Sequence, residues 1–230
     1  MPNDTGLIIF SRYDSNRLRG KAMINICNRP LLGRVIDIAK ELKKNYPIIV
    51  ATTKKKSDDI IESFAKSENV KVFRGPDQNV LKRAKDCCDF FELKRFARIC
   101  GDRPFYSSML IQKLINLHVK YDLDLATNSL IKTFPYGMTA EVLSVDCLKV
   151  IMKETKNILD LEHITRYIYD NRHKFKIKNI ISTIKNIDNL NFAVDVKDDI
   201  KKSEWILKKN NSSKIYNLKK LVDCLKKYER

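Results

Sequence analysis

Glycine and proline are both scarce, six of each in 230 residues. With so few breakers there is no Gly/Ser-rich or Pro-rich seam at which to divide the chain, and no internal repeat is visible. No apolar run approaches the ~18 residues needed to span a bilayer. Histidine is rare, with three copies, and the six cysteines include no C-x-x-C pair, which excludes zinc spacing. The residues ahead of the first apolar run are few and polar, without the anatomy of a secretory signal. A cytoplasmic chain with reduced thiols is the expectation. What is present is 43% hydrophobic residues, enough for a real core and against wholesale disorder, at a length that favours a single domain.

Charge is abundant and one-sided. The formal net charge of +17 invites a nucleic-acid partner, because phosphate backbones reward basic surfaces. Two features weaken that reading. Of the 45 basic residues 32 are lysine, whereas specific base and phosphate readers lean on the arginine fork. The chain also holds 18 Asn and 26 Ile, and Lys, Asn and Ile together read as compositional drift. Residues 201–230 alone carry ten basic and three acidic residues, a pattern expected of a solvated terminal helix.

Hydrophobic patterning predicts alternating strands and helices. Strands are expected at 7–10, 48–51, 70–73, 96–99 and 123–127. Helices are expected at 31–43, from Ser57 as N-cap to 66, at 79–91 and at 107–120. This rhythm predicts an α/β fold with a largely parallel sheet flanked by helices. The second half is less regular. Strands are expected at 141–145, 175–181 and 191–194, and helices at 146–153, 162–170, 197–208 and 218–227. Residues 130–190 are expected to form an inserted arm.

In open α/β sheets ligands sit beyond the carboxyl ends of the strands. After the first strand comes RYDSNRLRGK at 12–21, with Arg12, Arg17, Arg19, Lys21, Ser15 and a flexible Gly20. Such a loop can wrap a polyphosphate, the arginine forks and backbone N–H groups taking oxygens and lysine supplying a point charge. It is neither a Walker A loop nor G-x-G-x-x-G. After the fourth strand comes CGDRP at 100–104, which puts Asp102 at the sheet edge. Asp195 follows the expected 191–194 strand in the same way. Read alone, either Asp is as well explained as a helix cap. Together, two carboxylates at strand ends are what Mg²⁺ asks of a protein that binds a nucleoside triphosphate.

These blocks resemble the cytidylyltransferases of the spore coat polysaccharide biosynthesis protein F type, relatives of acylneuraminate and 3-deoxy-manno-octulosonate cytidylyltransferases. The 12–21 loop with NRPLL at 28–32 resembles R-x-x-S-x-R-L-x-G-K followed by K-P-L-L. VATT at 50–53 resembles V-A-T-S. VFRG at 72–75 with NVLKR at 79–83 resembles V-F-R-G and D-V-L-x-R. ICGDRP at 99–104 resembles I-T-G-D-C-P, and FPYGMTAE at 134–141 resembles F-P-x-G-x-x-x-E. LEHIT at 161–165 resembles R-E-H-V-T, and VDVKDD at 194–199 resembles V-D-T-P-E-D.

The resemblance implies a Rossmann-like nucleotide-diphospho-sugar transferase fold over residues 1–230. It implies transfer of CMP from CTP to an acidic, ulosonic-type sugar with release of pyrophosphate. Arg12, Ser15, Arg17 and Lys21 would hold the triphosphate, with Lys21 and Arg17 carrying the catalytic charge. Asp102 and Asp195 would hold Mg²⁺. Ala51, Thr52 and Arg74 would lie near cytosine and ribose, and Glu141, Glu162 and His163 toward the acceptor. A homodimer built through the 130–190 arm is also implied. The sequence departs from the family pattern at Asp14, where Gly is usual, and at Arg19, where Pro is usual. It also has Gln78-Asn79 for an acidic pair and Val196-Lys197 for Thr-Pro. Three other readings stay open: a same-fold transferase acting on a sugar phosphate or phosphonate, a homologue that binds nucleotide without turnover, and a basic nucleic-acid-binding protein.

Overall fold

The computed structural model describes residues 4–42, 46–210 and 217–228. The first half alternates as its hydrophobic pattern dictates. β1 (Thr5–Phe10) is followed by the site loop and a small antiparallel ribbon of β2 (Asn25–Ile26) and β3 (Arg29–Pro30). Then come α1 (Leu31–Lys40), β4 (Ile48–Thr53), α2 (Asp59–Ser67), β5 (Lys71–Gly75), α3 (Val80–Phe90), β6 (Arg95–Cys100), α4 (Ser108–Tyr121) and β7 (Leu125–Thr127). The second half adds β8 (Glu141–Ser144), α5 (Val145–Glu154), α6 (Ile158–Glu162), α7 (Arg166–Asp170), β9 (Ile177–Asn179), α8 (Lys197–Lys209) and α9 (Leu218–Tyr228).

Seven strands form one sheet in the order β5-β4-β1-β6-β8-β7-β9. β5, β4, β1 and β6 run parallel, whereas β8 is antiparallel to both its neighbours, β6 and β7. β1 is central, and Leu7, Ile8 and Ile9 are buried on alternating faces. That explains a continuous apolar run rather than an alternating one. One core cluster packs α1, α2 and α4 on one face. A second packs α3, α5 and α7 on the other. A third joins Ile26, Leu31, Phe105 and Phe192 with α8 and α9. No described helix is long and apolar enough to cross a membrane.

The helix starts follow local chemistry. Asn79 Oδ1 accepts from the Lys82 N–H at 2.8 Å to cap α3, and Ser107 Oγ accepts from Leu110 N–H at 3.2 Å to cap α4. Ser57 does not cap α2. A 3₁₀ turn over Lys56–Asp58 precedes that helix, and Ser57 Oγ instead donates to Asp14. α1 ends at Lys40, and Lys43 lies outside the described residues. The single helix expected over 162–170 is two short ones, broken at His163 with φ −108°, ψ 83°.

Residues 191–194 are not a sheet strand. They are an extended segment held by one bridge, between Tyr136 and Asn191, and by the buried ring of Phe192. Gly137 permits this contact. Its φ is +87°, and a Cβ there would sit 2.4 Å from Ala193 N and 2.7 Å from Phe192 C, both backbone atoms. Gly137→Ala is expected to destabilise the fold by about 2–3 kcal/mol in urea unfolding, through strain and displacement of 191–195. Wild-type stability in that variant would show that the close approach is unimportant.

Candidate active site

β1 and β6 lie side by side, and the chain leaves them in opposite directions along the sheet, β1 toward β4 and β6 toward β7. The crevice between their carboxyl ends is therefore the place where an open α/β sheet accepts a ligand. A cleft of about 340 Å³ opens there. Arg12, Ser15, Arg17, Lys21, Asp102, Glu162 and His163, all singled out from sequence, line it. The two strand ends are drawn together by Gly101, whose N–H donates to Phe10 O at 2.9 Å. A Cβ at Gly101 would lie 2.9 Å from Ser11 Cβ and 3.1 Å from Phe10 O, so the residue must be small.

Lys21 is the centre of the cleft's electrostatics. Its Nζ donates to Asp102 Oδ2 at 2.7 Å, Asp195 Oδ1 at 2.9 Å and the Val194 carbonyl at 3.0 Å. Burial works against the ammonium, but the two carboxylates outweigh it and hold the Lys21 pKa above its ordinary value. Arg17, largely exposed, adds a second cation 2.8 Å from Asp195 Oδ1. Asp195 reaches the site without a strand beneath it. Val194 N–H donates to Asp102 O at 2.9 Å, and Asp199 Oδ2, at the start of α8, accepts from the N–H groups of Asp195 and Val196 at 2.9 and 3.0 Å.

The basic loop is pinned from outside the cleft. Asp58, 1% exposed, accepts from Tyr13 N–H at 2.7 Å, from Thr52 Oγ1 at 2.8 Å, from Thr53 N–H at 2.9 Å and from Thr53 Oγ1. Asp14 accepts from Ser57 Oγ at 2.8 Å and Arg19 Nε at 3.1 Å. The Ser57 hydrogen bond, with Arg19 and Lys55 nearby, holds the Asp14 carboxyl below its usual range. The two departures at Asp14 and Arg19 thus neutralise each other on the outer side of the loop. Asp14 does not line the 340 Å³ cleft. It lines an adjoining hollow with Lys55, Asp77 and Gln78.

Not every expected residue reaches the cleft. Ala51 is buried in the core, and Thr52 is spent on Asp58. Arg74 turns away, bonding Thr53 O at 2.8 Å, Asp59 at 2.6 Å and Glu62 at 2.7 Å, so it ties β5 to α2 and the end of β4. Glu141 is buried behind the wall and meets Arg98 rather than the opening. Arg12 spans the mouth, 3.3 Å from Asp77 and 3.8 Å from Glu162.

Phe10, Arg83, Arg98 and Cys100 line the cleft without having been singled out. Arg83 is 3% exposed and forms no ion pair among the described residues. Its Nη1 donates to Pro76 O at 3.0 Å, and burial, followed by the charge of Arg12, pushes its pKa down to about 10. Arg83 stood in the NVLKR block, four residues after the α3 cap. Arg98 lay inside an apolar strand pattern, where one charged residue is the available signal.

A cleft of this kind, basic at one wall with two carboxylates at its edge, suits a polyphosphate anion. A family model described as cytidylyltransferase matches residues 7–227. The chain belongs to the cytidylyltransferase family. The cytidylyltransferase is thereby a CTP-dependent nucleotidyltransferase. It is 35% identical over 170 residues to an uncharacterized protein of Methanocaldococcus jannaschii, covering 74% of this chain and 69% of that one. It is 28% identical to the spore coat polysaccharide biosynthesis protein SpsF of Bacillus subtilis, over 76% and 74% of the two chains. Among solved structures, a cytidylyltransferase from Leptospira borgpetersenii matches with a TM-score of 0.91 at 24% identity, covering 98% of this chain and 95% of that one. A CMP:2-keto-3-deoxy-manno-octonic acid synthetase complexed with CTP matches at 0.68 and 14% identity, covering 90% and 99%. These two structural likenesses support the Rossmann-like fold expected from sequence.

Asp58→Ala removes the carboxylate that pins the loop and leaves several donors unpaired. We expect about 3 kcal/mol lower stability in urea, with a raised KM for CTP. Unchanged stability would show that the loop is held by other means.

Proposed function

We propose that this cytidylyltransferase transfers CMP from CTP to an acidic sugar of the ulosonic type, releasing pyrophosphate. The single observation that carries this is the convergence of Lys21, Arg17, Asp102 and Asp195 at the end of β1 and β6. Relatives named as an SpsF protein and as 3-deoxy-manno-octulosonate cytidylyltransferases support a sugar acceptor. The basic residues Arg166, Arg172, Lys174, Lys176 and Lys178 do not line the cleft, and Arg166 and Lys174 are paired with Asp160, Asp170 and Glu154, so the anionic character of the acceptor rests on those relatives.

The residues fit Mg²⁺ as a nucleotide-bound ion. Asp102 and Asp195 both reach one point, that of Lys21 Nζ. No cluster of three or more His, Cys, Asp or Glu able to hold a metal occurs among the described residues. Two carboxylates leave the remaining positions to phosphate oxygens and water, which is how Mg²⁺ is ordinarily held with a nucleotide. When bound, Mg²⁺ supplies charge stabilisation at the phosphates.

The chain's own residues do the rest. In the empty site Lys21 neutralises the two carboxylates. When CTP enters, Lys21 and Arg17 exchange those partners for phosphate oxygens, which frees Asp102 and Asp195; these two carboxylates would hold Mg²⁺. The acceptor hydroxyl attacks the α-phosphorus in line, the bond to the β-phosphate oxygen breaks, and the acceptor proton leaves to solvent. Lys21, Arg17 and Arg12 stabilise charge building on the departing pyrophosphate. Glu162 and His163, which line the cleft with Glu162 beside Arg12, are assigned to the acceptor by the family resemblance. Use of CTP supports a cytoplasmic location, and exposed Ile131, Tyr136 and Ile181 support pairing of two copies through the 130–190 segment.

Asp102→Asn and Asp195→Asn are each expected to lower pyrophosphate release from CTP by about 10²-fold or more while the protein stays folded. The assay pairs four nucleotides with ulosonic acids, sugar phosphates and phosphonates, with and without Mg²⁺. Near-wild-type turnover in either variant would remove these residues from the reaction. Turnover with a sugar phosphate alone would replace the acceptor class.

A further inference from the structure

The inner end of the cleft carries a second anion-seeking group, separate from the Lys21 cluster. Arg98 lies on β6, four residues before Asp102, on the same face as Cys100. It lines the cleft with His163 and Glu162. Directly opposite it on β8, in register, is Glu141. Arg98 Nη1 donates to Glu141 Oε2 at 2.5 Å. The other carboxylate oxygen, Oε1, accepts from Tyr169 OH at 2.6 Å, and Tyr169 OH lies 3.1 Å from Thr127 Oγ1. Burial opposes the Glu141 charge, but Arg98 and the Tyr169 hydroxyl outweigh it and keep the carboxyl below its usual range.

This arrangement holds one edge of the guanidinium and leaves the rest unused. Arg98 Nε is buried without a hydrogen-bond partner, and Nη2 has none among the described residues. A buried guanidinium N–H without a partner is unfavourable unless a ligand completes it. The pair it forms with Glu141 is neutral, so the open donors suit a monoanion better than a phosphate dianion. A planar fork suits a carboxylate. Arg83 Nε is likewise buried without a partner, but no carboxylate pairs with Arg83, and it lies against the Phe10 ring and near Arg12, one of the residues proposed for the triphosphate.

We propose that Arg98 binds the carboxylate of the acceptor sugar, with Glu141 and Tyr169 as positioning residues that hold its guanidinium. This rests on the reading of the chain as a cytidylyltransferase for an acidic acceptor, and it names the residue that selects the acid. Glu141 thereby acts on the acceptor through Arg98 rather than by contact.

The test is calorimetric titration of the protein loaded with Mg²⁺ and α,β-methylene-CTP, which cannot release pyrophosphate. The probes are 3-deoxy-manno-octulosonate and N-acetylneuraminate, each beside its carboxamide. The wild type is expected to bind one acid about tenfold or more tightly than its amide. Arg98→Gln should abolish that preference, leaving amide and nucleotide affinity within about twofold. Arg98→Lys, which keeps the charge but loses the fork, should retain only part of it. Because Arg98→Gln strands the Glu141 charge, the double variant Arg98→Gln/Glu141→Gln is measured alongside to keep a folded protein in the comparison. Retention of the acid preference without Arg98, or equal loss of acid and amide, overturns the proposal while the acidic-acceptor reading stands. A wild type that binds nucleotide but does not prefer acid to amide overturns both. Failure to bind the nucleotide overturns the reading of the site itself.

Discussion

Two carboxylates distant in sequence converge on one ammonium. Lys21 lies 81 residues from Asp102 and 174 from Asp195, yet it bonds both. A buried ion pair of this kind is an uncertain source of stability, because desolvation offsets much of the Coulomb gain. Its value is in specification. Three segments reach the correct relation only when the sheet, the site loop and the 191–195 segment are all in place. In an empty site the arrangement keeps two acidic groups neutralised close together. Under the proposed function the same lysine turns to phosphate oxygens in a loaded site, so the anion's arrival and the freeing of the carboxylates would be one event.

The surrounding fold exists to make that convergence exact in space. Gly101 brings the ends of β1 and β6 together, and Asp58 fastens the loop to the end of β4. Phe192, buried among Ile26, Leu31 and the helices α8 and α9, carries Asp195 inward, and Gly137 makes room for its backbone. Gly101 lines the cleft, and the other groups act from behind it. On the inner side, the antiparallel pairing of β8 with β6 places Glu141 behind Arg98. The one reversed strand of the sheet is thus what backs Arg98 with a carboxylate.

Much of this was legible in the sequence, and the exceptions have physical causes. The parallel half of the sheet followed from continuous apolar runs, because central strands buried on both faces must be apolar throughout. The basic loop and the two Asp residues were visible because ligands sit at strand ends. The sheet strand expected at 191–194 was not there: FAV at 192–194 is apolar because Phe192 and its neighbours enter a third core cluster, and apolarity alone does not distinguish that from a strand. The helix break at His163 left no Gly or Pro to mark it. Thr52 and Arg74 were placed near the nucleotide by the family resemblance. Their hydrogen bonds are instead taken by Asp58, Asp59 and Glu62, contacts that no local pattern reveals. Most of the +17 charge is dispersed lysine. The part that matters is a handful of groups, Arg12, Arg17, Lys21, Arg83 and Arg98, that line one cleft.

Under the proposed function, Lys21 holds the cation's place until a nucleotide draws it away. Calorimetric titration of Mg²⁺ into the wild-type protein, with and without saturating CTP, tests it most directly. The account predicts no measurable Mg²⁺ binding to the free protein and clear binding once CTP is present. Equal Mg²⁺ affinity with and without CTP would contradict it.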